Sequence, residues 1–371
     1  MNISYYMPFK PPGHSNPSGD LIIGTELQKF LAEKHNVELA STLRSRWVYW
    51  KPWNLYLAKR EQKRICNFLQ TKPQDLWFTY HSYYKAPDII GPACCRKLKI
   101  PYTIFQGIYS TKRKRKLKTF PGFILNRRAL EAAKIVFTNK KADLINLKRL
   151  LSNERICYIA PGLQPDQFCF DPDARKVLRE QWQTGDRRVI LTTAMLRPGV
   201  KTEGVKTVIN SCAALREKHK DILLVVIGDG KNRDVLELEA REKLGKHCLF
   251  LGKIPRLNLY HYYSAADLFA FPGIQESLGM VYLEAQSAGL PVAAYSDWGA
   301  SEAVVNNSTG LLTPASHPEH FTNSIETLLN NQEIRNEMRV NATNHIRTHH
   351  DSSINYRHLT NVLEDIVQKH R

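Results

Sequence analysis

Residues 271–291 read FPGIQESLGMVYLEAQSAGLP, and this stretch indicates the fold most clearly. The apolar run from Leu268 to Phe271 is typical of a buried strand, and a Pro-Gly pair follows it directly. Met280 to Ala288 are mostly good helix formers, and Gly289 stands where a left-handed residue commonly ends a helix. The stretch therefore predicts a strand, a loop, a short helix and then a second strand.

The same alternation of short apolar runs and amphipathic segments extends over the whole chain. It predicts an α/β protein with two doubly wound, Rossmann-like domains, because about six strands fall on each side of residue 165. The predicted strands are Ile3 to Met7, Val37 to Ala40, Leu76 to Tyr80, Tyr102 to Phe105, Ile135 to Thr138, Cys157 to Ala160, Val189 to Thr193, Ile222 to Ile227, Cys248 to Leu251, Leu268 to Phe271, Pro291 to Ala294 and Leu311 to Leu312.

The 371 residues suit two domains of middling size, and the turn-rich segment 160–166 is the best linker between them. We expect a first domain over residues 1–165 and a second over 166–351. Residues 352–371 read as a helix that either closes the second domain or crosses back to the first.

Two carboxylates flank the start of the helix predicted after Gly279. A helix that begins there directs free N–H groups at the edge of the sheet, which favours a diphosphate, and glycine lets that group approach closely. Glu276 lies in the loop before the helix and Glu284 lies inside it, so the two side chains can accept hydrogen bonds from different hydroxyls of one ligand. Taken alone, such a pair more often caps or solvates a surface helix.

The pair with its surroundings resembles the E-x7-E segment of retaining GT-B glycosyltransferases, in particular glycosyltransferase family 4 (glycosyl transferases group 1). That resemblance implies two domains that face a cleft, the second of which binds a nucleotide-sugar donor. It assigns Glu276 to the sugar hydroxyls, Glu284 to the ribose, and the main chain of 277–280 to the distal phosphate, that is, Ser277, Leu278, Gly279 and Met280.

Three further loops of the second half fit the same resemblance. Arg197 and Lys201 would neutralise the diphosphate as it leaves, although Arg197 stands two residues later than the family's usual arginine. Gly228 opens a glycine turn that would lie beside the donor, and the loop with Lys253 and Ile254 would meet the base. An exposed basic loop is the alternative interpretation for Arg197 and Lys201.

The first half carries weaker signals of the same kind. Gly19 lies in a glycine loop after the first strand and would approach the donor phosphates, whereas Asp20 is as well explained as a helix N-cap. His81 ends a strand and, by resemblance, would contact the donor sugar, although a lone histidine is more often structural.

Three other patterns in the sequence are interpreted as structural and not as catalytic or metal sites. The D-x-D run at 171–173 lies in a proline turn and is interpreted as a turn or helix cap. His345, His349 and His350 are expected at an exposed helix end without carboxylates, and no metal site is predicted. The seven cysteines include no C-x-x-C pair, so we expect reduced thiols that fill core positions.

The net charge of +18 calls for an anionic partner. We expect no cofactor, a UDP-, GDP- or ADP-sugar as donor, and a glycan, lipid-linked or small-molecule acceptor. The basic run from Lys112 to Lys118 has two interpretations: ordinary solvated surface, or, beside Phe120, Phe123 and Ile124, a segment that touches an anionic membrane. Without a signal peptide or a long apolar run, the predicted location is the cytoplasm, with or without attachment to the cytoplasmic face of the membrane.

Two other classes of function stay open. A basic surface also suits a nucleic-acid-binding protein, but no aromatic-basic RNA motif or DNA-reading signature occurs, so we expect no nucleic acid among the partners. A non-catalytic protein that binds a nucleotide sugar would show the same phosphate and hydroxyl contacts as an enzyme.

Overall fold

A computed structural model describes residues 1–14, 19–218 and 221–371. Over these residues the chain divides into two compact units. The first comprises residues 1–160 with 353–371, and the second comprises residues 161–352. Each unit is built around its own parallel sheet of six strands in the described part of the chain.

The first sheet has the strand order β2-β1-β3-β4-β5-β6, and every pairing in it is parallel. Its strands are β1 (Asn2–Tyr6), β2 (Asn36–Ser41), β3 (Leu76–Ser82), β4 (Tyr102–Gly107), β5 (Ile135–Thr138) and β6 (Ile156–Tyr158). The helices of this unit are α1 (Gly19–Ala32), α2 (Pro52–Thr71), α3 (Gly91–Leu98), α4 (Phe120–Ala132) and α5 (Lys141–Leu147).

The second sheet has the order β12-β11-β10-β7-β8-β9 and is likewise parallel. Its strands are β7 (Arg188–Thr193), β8 (Ile222–Ile227), β9 (Cys248–Gly252), β10 (Leu268–Ala270), β11 (Val292–Tyr295) and β12 (Gly310–Thr313). The helices are α6 (Pro172–Gln181), α7 (Val200–Glu217), α8 (Arg233–Leu244), α9 (Leu259–Ala265), α10 (Met280–Ser287), α11 (Pro318–Asn330) and α12 (Gln332–His349).

The predicted strands are confirmed to within a few residues at each end. They form because continuous apolar runs suit strands that are covered on both faces, and every residue of β4 and β8 is buried. The short helix is confirmed as well: α10 begins directly after Gly279 and is followed by Gly289 at φ +73°.

The last helix, α13 (Ser352–His370), lies in the first unit. Leu359 and Leu363 are fully buried, and the Tyr356 ring packs edge-on against Phe30 of α1 at a centroid distance of 5.6 Å. The chain therefore returns to the unit in which it began.

Each sheet has one point where the chain changes direction across it. In the second sheet this switch lies between β7 and β10, and in the first it lies between β1 and β3. In open α/β sheets, ligands bind beyond the carboxyl ends of the strands at such a point. A ligand site is therefore expected in the loops that follow these four strands.

Candidate active site

The loop between β10 and α10 is tightly constrained. Gly273, Gln275 and Gly279 all have positive φ angles, of +68°, +53° and +62°. A Cβ on Gly279 would lie 2.3 Å from Cε2 of Tyr282, whose hydroxyl donates a 3.0 Å hydrogen bond to the carbonyl of Phe271. The buried Tyr282 ring thus requires glycine beside it and sets the path of the loop.

Glu276 and Lys201 form an ion pair at the switch point of the second sheet. The Lys201 ammonium donates a hydrogen bond to Oε2 of Glu276, and the two side chains are 16% and 19% exposed. Lys201 lies in the first turn of α7 after β7, whereas Glu276 follows β10, so the two neighbouring strands bring them together.

Arg197 adds a second positive charge to this pair. Burial, followed by the charge of Arg197, lowers the pKa of Lys201 to about 8, while the adjacent Glu276 carboxylate favours the charged form. Arg197 is exposed, and its carbonyl accepts a 2.8 Å hydrogen bond from the Thr202 hydroxyl. The arrangement offers one partly buried and one exposed cation to an anion.

The glycine turn after β8 supports the loop that carries Arg197. Gly228 has φ +140°, and a Cβ there would lie 1.8 Å from the carbonyl oxygen of Ala194. The N–H of Leu196 donates to the carbonyl of Asp229 at 3.0 Å, and the N–H of Gly228 donates to the carbonyl of Gly252 at 2.8 Å. Backbone hydrogen bonds therefore join the loops after β7, β8 and β9.

Glu284 is buried and already paired. It is 3% exposed, its Oε1 accepts a 2.7 Å hydrogen bond from Nε of Arg256, and its Oε2 accepts one of 3.3 Å from the Tyr263 hydroxyl. Arg256 follows the predicted base-contacting loop, in which Lys253 is exposed and Ile254 is half-buried. Sequence analysis missed Arg256 and Tyr263, because neither stands in a recognisable motif.

The start of α10 lies beside the Lys201–Glu276 ion pair. Because the helix begins at Met280, the N–H groups of its first turn lack partners within the helix. Ser277 is exposed and its N–H lies 3.4 Å from Oε1 of Glu276, while Leu278 and Gly279 are buried. Donor groups for an anion and the Glu276 carboxylate thus occur together in the second unit.

A separate cluster lies at the switch point of the first sheet. His81, near the end of β3, has φ +64°, and its Nδ1 is hydrogen-bonded to Oδ1 of Asp20 in the first turn of α1. Nε2 of His81 and Oδ2 of Asp20 are buried and have no hydrogen-bond partner among the described residues. Asp20 was predicted equally well as an N-cap; the helix instead begins at Gly19, where a Cβ would meet no described atom within 4 Å.

Aromatic rings and cations surround this histidine. The His81 ring stacks on Tyr83 at 4.8 Å and meets Phe9 edge-on at 5.6 Å. Three cations lie within 6.0 Å of the centre of the Phe9 ring: Lys10, Arg44 and Arg46. The first unit therefore has a basic, aromatic wall next to His81.

Two further expectations from the sequence were wrong, for His350 and Phe123, and one further expectation, for Asp171, is confirmed. His350 is not exposed: it is buried, with its Nδ1 2.6 Å from the carbonyl oxygen of Pro161, because the chain segment 161–163 packs against the end of α12. Phe123 is buried in the core of the first unit, so it offers nothing to a membrane. Asp171 does cap α6, by accepting a 2.9 Å hydrogen bond from the N–H of Ala174.

Comparison with known structures identifies the fold as GT-B, with two Rossmann-like sheets of six strands. Anabaena Alr3699/HepE, solved in complex with UDP, is 19% identical and matches with a TM-score of 0.76 over 98% of this chain and 100% of that one. A sucrose-phosphate synthase from Thermosynechococcus elongatus is 16% identical, also with a TM-score of 0.76, over 100% of both chains.

Residues 175–345, which make up most of the second unit, match the family of glycosyl transferases group 1. A GDP-mannose-dependent alpha-(1-6)-phosphatidylinositol monomannoside mannosyltransferase of Mycolicibacterium smegmatis is 33% identical over 180 residues, 46% of each chain. A D-inositol 3-phosphate glycosyltransferase of Jonesia denitrificans is 28% identical over 58% of this chain and 52% of its own. The chain spans about half the length of the curated relatives it matches.

Proposed function

We propose that this chain is a glycosyltransferase that transfers a sugar, with retention at the anomeric carbon, from a nucleoside diphosphate sugar to an acceptor hydroxyl. The observation that carries the proposal is the Lys201–Glu276 ion pair beside Arg197, at the switch point of a sheet whose sequence matches glycosyl transferases group 1. Cations and a carboxylate at that place suit a diphosphate and a polyhydroxylated sugar, respectively.

The cations act on the leaving group. As the bond from the anomeric carbon to the distal phosphate oxygen breaks, its electron pair stays on the diphosphate, and Lys201, Arg197 and the start of α10 stabilise that charge. The acceptor oxygen bonds to the anomeric carbon, and its proton passes to the released diphosphate or to solvent. These protein cations supply the neutralisation, so the proposed reaction uses no metal ion.

The two glutamates act on hydroxyl groups of the donor. Glu276 can accept hydrogen bonds from the sugar while Lys201 turns from it towards the phosphate. Glu284 is held by Arg256 and Tyr263, and a carboxylate retains lone pairs for a ribose hydroxyl beyond those two bonds. We therefore propose that Arg256 orients Glu284, and that Lys253 and Ile254 lie near the base.

In the proposed reaction His81 contacts the donor sugar or the acceptor. Asp20 holds one ring nitrogen and leaves the other, Nε2, for the donor sugar or the acceptor. A hydrogen-bonded carboxylate sets the tautomer and orientation of such a histidine.

The test is transfer and donor hydrolysis with UDP-, GDP- and ADP-sugars, preceded by a thermal-shift screen that identifies the donor. Glu276→Gln and Lys201→Gln should each lower kcat by about a hundredfold or more, as expected for lost stabilisation of developing charge. Glu319→Gln and Lys218→Gln, on exposed side chains of the same unit, serve as matched controls.

Unchanged transfer in both site variants would contradict the proposed mechanism. A chain that binds a nucleotide sugar tightly but never turns it over would instead be the non-catalytic binder. Binding of nucleic acid at moderate salt without any donor binding would favour the nucleic-acid interpretation.

The acceptor carries a phosphate group in our proposal. Lys10, Arg44 and Arg46 surround Phe9, which contacts His81, so an anionic acceptor would be held beside the reacting hydroxyl. The names of the mycobacterial and Jonesia relatives both include phosphorylated inositol compounds. Arg46→Gln should raise the acceptor KM about tenfold and leave the donor KM unchanged; a change in the donor KM alone would contradict this assignment.

A membrane-bound acceptor would be reached through an aromatic surface of the first unit. Trp50, Trp53 and Tyr56 are 48%, 67% and 54% exposed, and the Trp50 indole donates a 3.1 Å hydrogen bond to the carbonyl of Lys118 in the basic run. Exposed tryptophans beside lysines are typical of surfaces that lie on a bilayer. No helix in the described residues is long and apolar enough to cross one.

Sedimentation with liposomes tests this surface. Wild type should bind vesicles that contain anionic lipid, and Trp53→Ser should bind them severalfold less. Leu257→Ser, which changes an exposed apolar residue of the second unit, is the control. Equal binding to neutral and anionic vesicles would remove the anionic membrane from the proposal.

A further inference from the structure

A cavity of about 190 Å³ lies at the edge of the second sheet where the strands begin. Its walls come from α6, from the starts of β7, β10 and β11, and from the first turns of α12. The lining residues are Arg175, Arg188, Asp267, Pro291, Gln332, Arg335, Asn336 and Arg339.

This cavity is distinct from the candidate active site. The strands of the sheet are parallel, so their starts and their ends lie at opposite edges. Arg188 begins β7, whereas Arg197 and Lys201 follow its end. A ligand in the cavity would therefore be separated from the donor site by the length of a strand.

The charge of the cavity is strongly unbalanced. Four arginines line it with a single carboxylate, that of Asp267. That carboxylate is already used: it accepts hydrogen bonds of 2.7 Å from Arg175, 3.1 Å from Arg179 and 2.8 Å from the N–H of Val189. The surplus of positive charge is thus not neutralised by the described carboxylates of the lining.

Three of the arginines nearby have structural roles. Arg175 and Arg179 bind Asp267 and the carbonyls 264–266 before β10. Arg335 is 7% exposed and donates to the carbonyls of Leu328 and Leu329 at the end of α11. Burial, and after it the repulsion from Arg188, lowers the pKa of Arg335.

Arg188 and Arg339 have no comparable role. Neither forms an ion pair with a carboxylate in the described part of the chain, and the guanidinium of Arg339 lies 4.8 Å from the centre of the Phe170 ring. Burial and then the charge of Arg175 lower the pKa of Arg339. The carboxylate of Asp267 partly offsets the charge of Arg339, but that carboxylate is bonded to Arg175 and Arg179. The cavity therefore keeps an excess of positive charge to which Arg188 and Arg339 contribute.

We propose that this arginine cavity binds a phosphate group, either as inorganic phosphate or diphosphate or as a phosphate monoester. Guanidinium groups match phosphate oxygens with paired N–H donors, and several arginines around one cavity suit a dianion. The cavity volume is enough for a phosphate or diphosphate group. Its occupation stabilises the second unit, because it offsets the repulsion.

Phosphate binding to the whole chain is measured by ³¹P line broadening and by thermal shift against sodium chloride of equal ionic strength. Wild type and Lys201→Gln should both bind, since the donor site is not involved. Arg188→Gln/Arg339→Gln should bind at least about tenfold more weakly. Arg241→Gln/Arg347→Gln removes the same charge from exposed positions and should bind as wild type does. Inorganic phosphate, diphosphate and a sugar monophosphate, tested in parallel, distinguish the three sources of the phosphate group.

The melting temperature without phosphate guards against a misfolded variant. Removal of two repelling charges should leave Arg188→Gln/Arg339→Gln at least as stable as wild type. A lower melting temperature, equal phosphate affinity in that variant and wild type, or a wild type stabilised no more by phosphate than by chloride would each overturn the proposal.

Discussion

At the scale of single residues, each unit has a candidate cluster in which an ion pair removes side-chain freedom. In the first unit Asp20 holds Nδ1 of His81. In the second unit Arg256 holds the carboxylate of Glu284. Pre-organisation of this kind lowers the cost of positioning a substrate. In both pairs the partner lies far along the chain, so neither could be read from a local motif.

The Asp20–His81 pair predicts a coupled loss of activity. Asp20→Asn should lower kcat by about tenfold to a hundredfold, because the histidine loses the group that sets its tautomer. His81→Ala should cost at least as much, and the double variant should be no worse than His81→Ala alone. A double-mutant cycle on kcat measures this, and strictly additive effects would show that the two side chains act independently.

A substitution at Gly279 should lower the stability of the second unit, because the backbone and the neighbouring ring leave no room for a side chain. Gly279→Ala places a methyl group against the Tyr282 ring at a residue with φ +62°, which should destabilise the second unit by about 1–2 kcal/mol and weaken donor binding. Gly19→Ala, which meets no described atom, should leave stability within about 0.5 kcal/mol. Denaturant unfolding of the two variants measures this difference in stability. Equal free energies of unfolding would mean that the loop around Gly279 relaxes to accept a methyl group.

At the scale of elements, Asp267 links α6 to the start of β7. It lies directly before β10 and accepts hydrogen bonds from two arginines of α6 and from the N–H of Val189 in β7. Its side chain is 5% exposed, and Asp267→Asn leaves two guanidinium groups without their partner, so a loss of about 3–5 kcal/mol is expected. Asp166→Asn, which breaks an exposed contact with Arg347, should cost less than about 1 kcal/mol. Hydrogen exchange over α6 and β7 measures the difference between the two variants.

The carboxylate of Asp267 also makes the folding stability depend on pH in the acidic range. Burial raises the pKa of Asp267, but the N–H of Val189 and the two arginines outweigh it, so the folded pKa lies below the unfolded value of 3.8. The contribution is thus complete above the unfolded pKa and is lost as pH falls through the folded pKa. An acid titration of Asp267→Asn should be flatter than that of wild type in this range; identical slopes would contradict the assignment.

At the scale of the whole molecule, the last helix, α13, is expected to stabilise the first unit, although it follows the second unit in the sequence. Leu363→Ala removes a fully buried side chain of α13 and should cost about 2–5 kcal/mol. Faster hydrogen exchange should then appear in residues 1–160 and not in 161–352, because α13 packs in the first unit. Ile354→Ala, at a position 47% exposed, is the control, and increased exchange confined to the second unit would contradict the division.

The sequence by itself determined the twelve strands of the described residues, the helix after Gly279 and the segments that carry Lys201, Glu276 and His81. Those features follow from runs of neighbouring residues, because a parallel strand needs only a short apolar segment and a turn needs only its glycine or proline. A local pattern is sufficient for them.

Only the tertiary structure decided which side chains meet. Lys201 reaches Glu276 because β7 and β10 are neighbours in the sheet, and Asp20 reaches His81 because β1 and β3 are. The arginine cavity likewise gathers residues from α6, β7 and α12 that share no motif. Strand order, burial and ring packing set these distances, and each depends on the whole chain being folded.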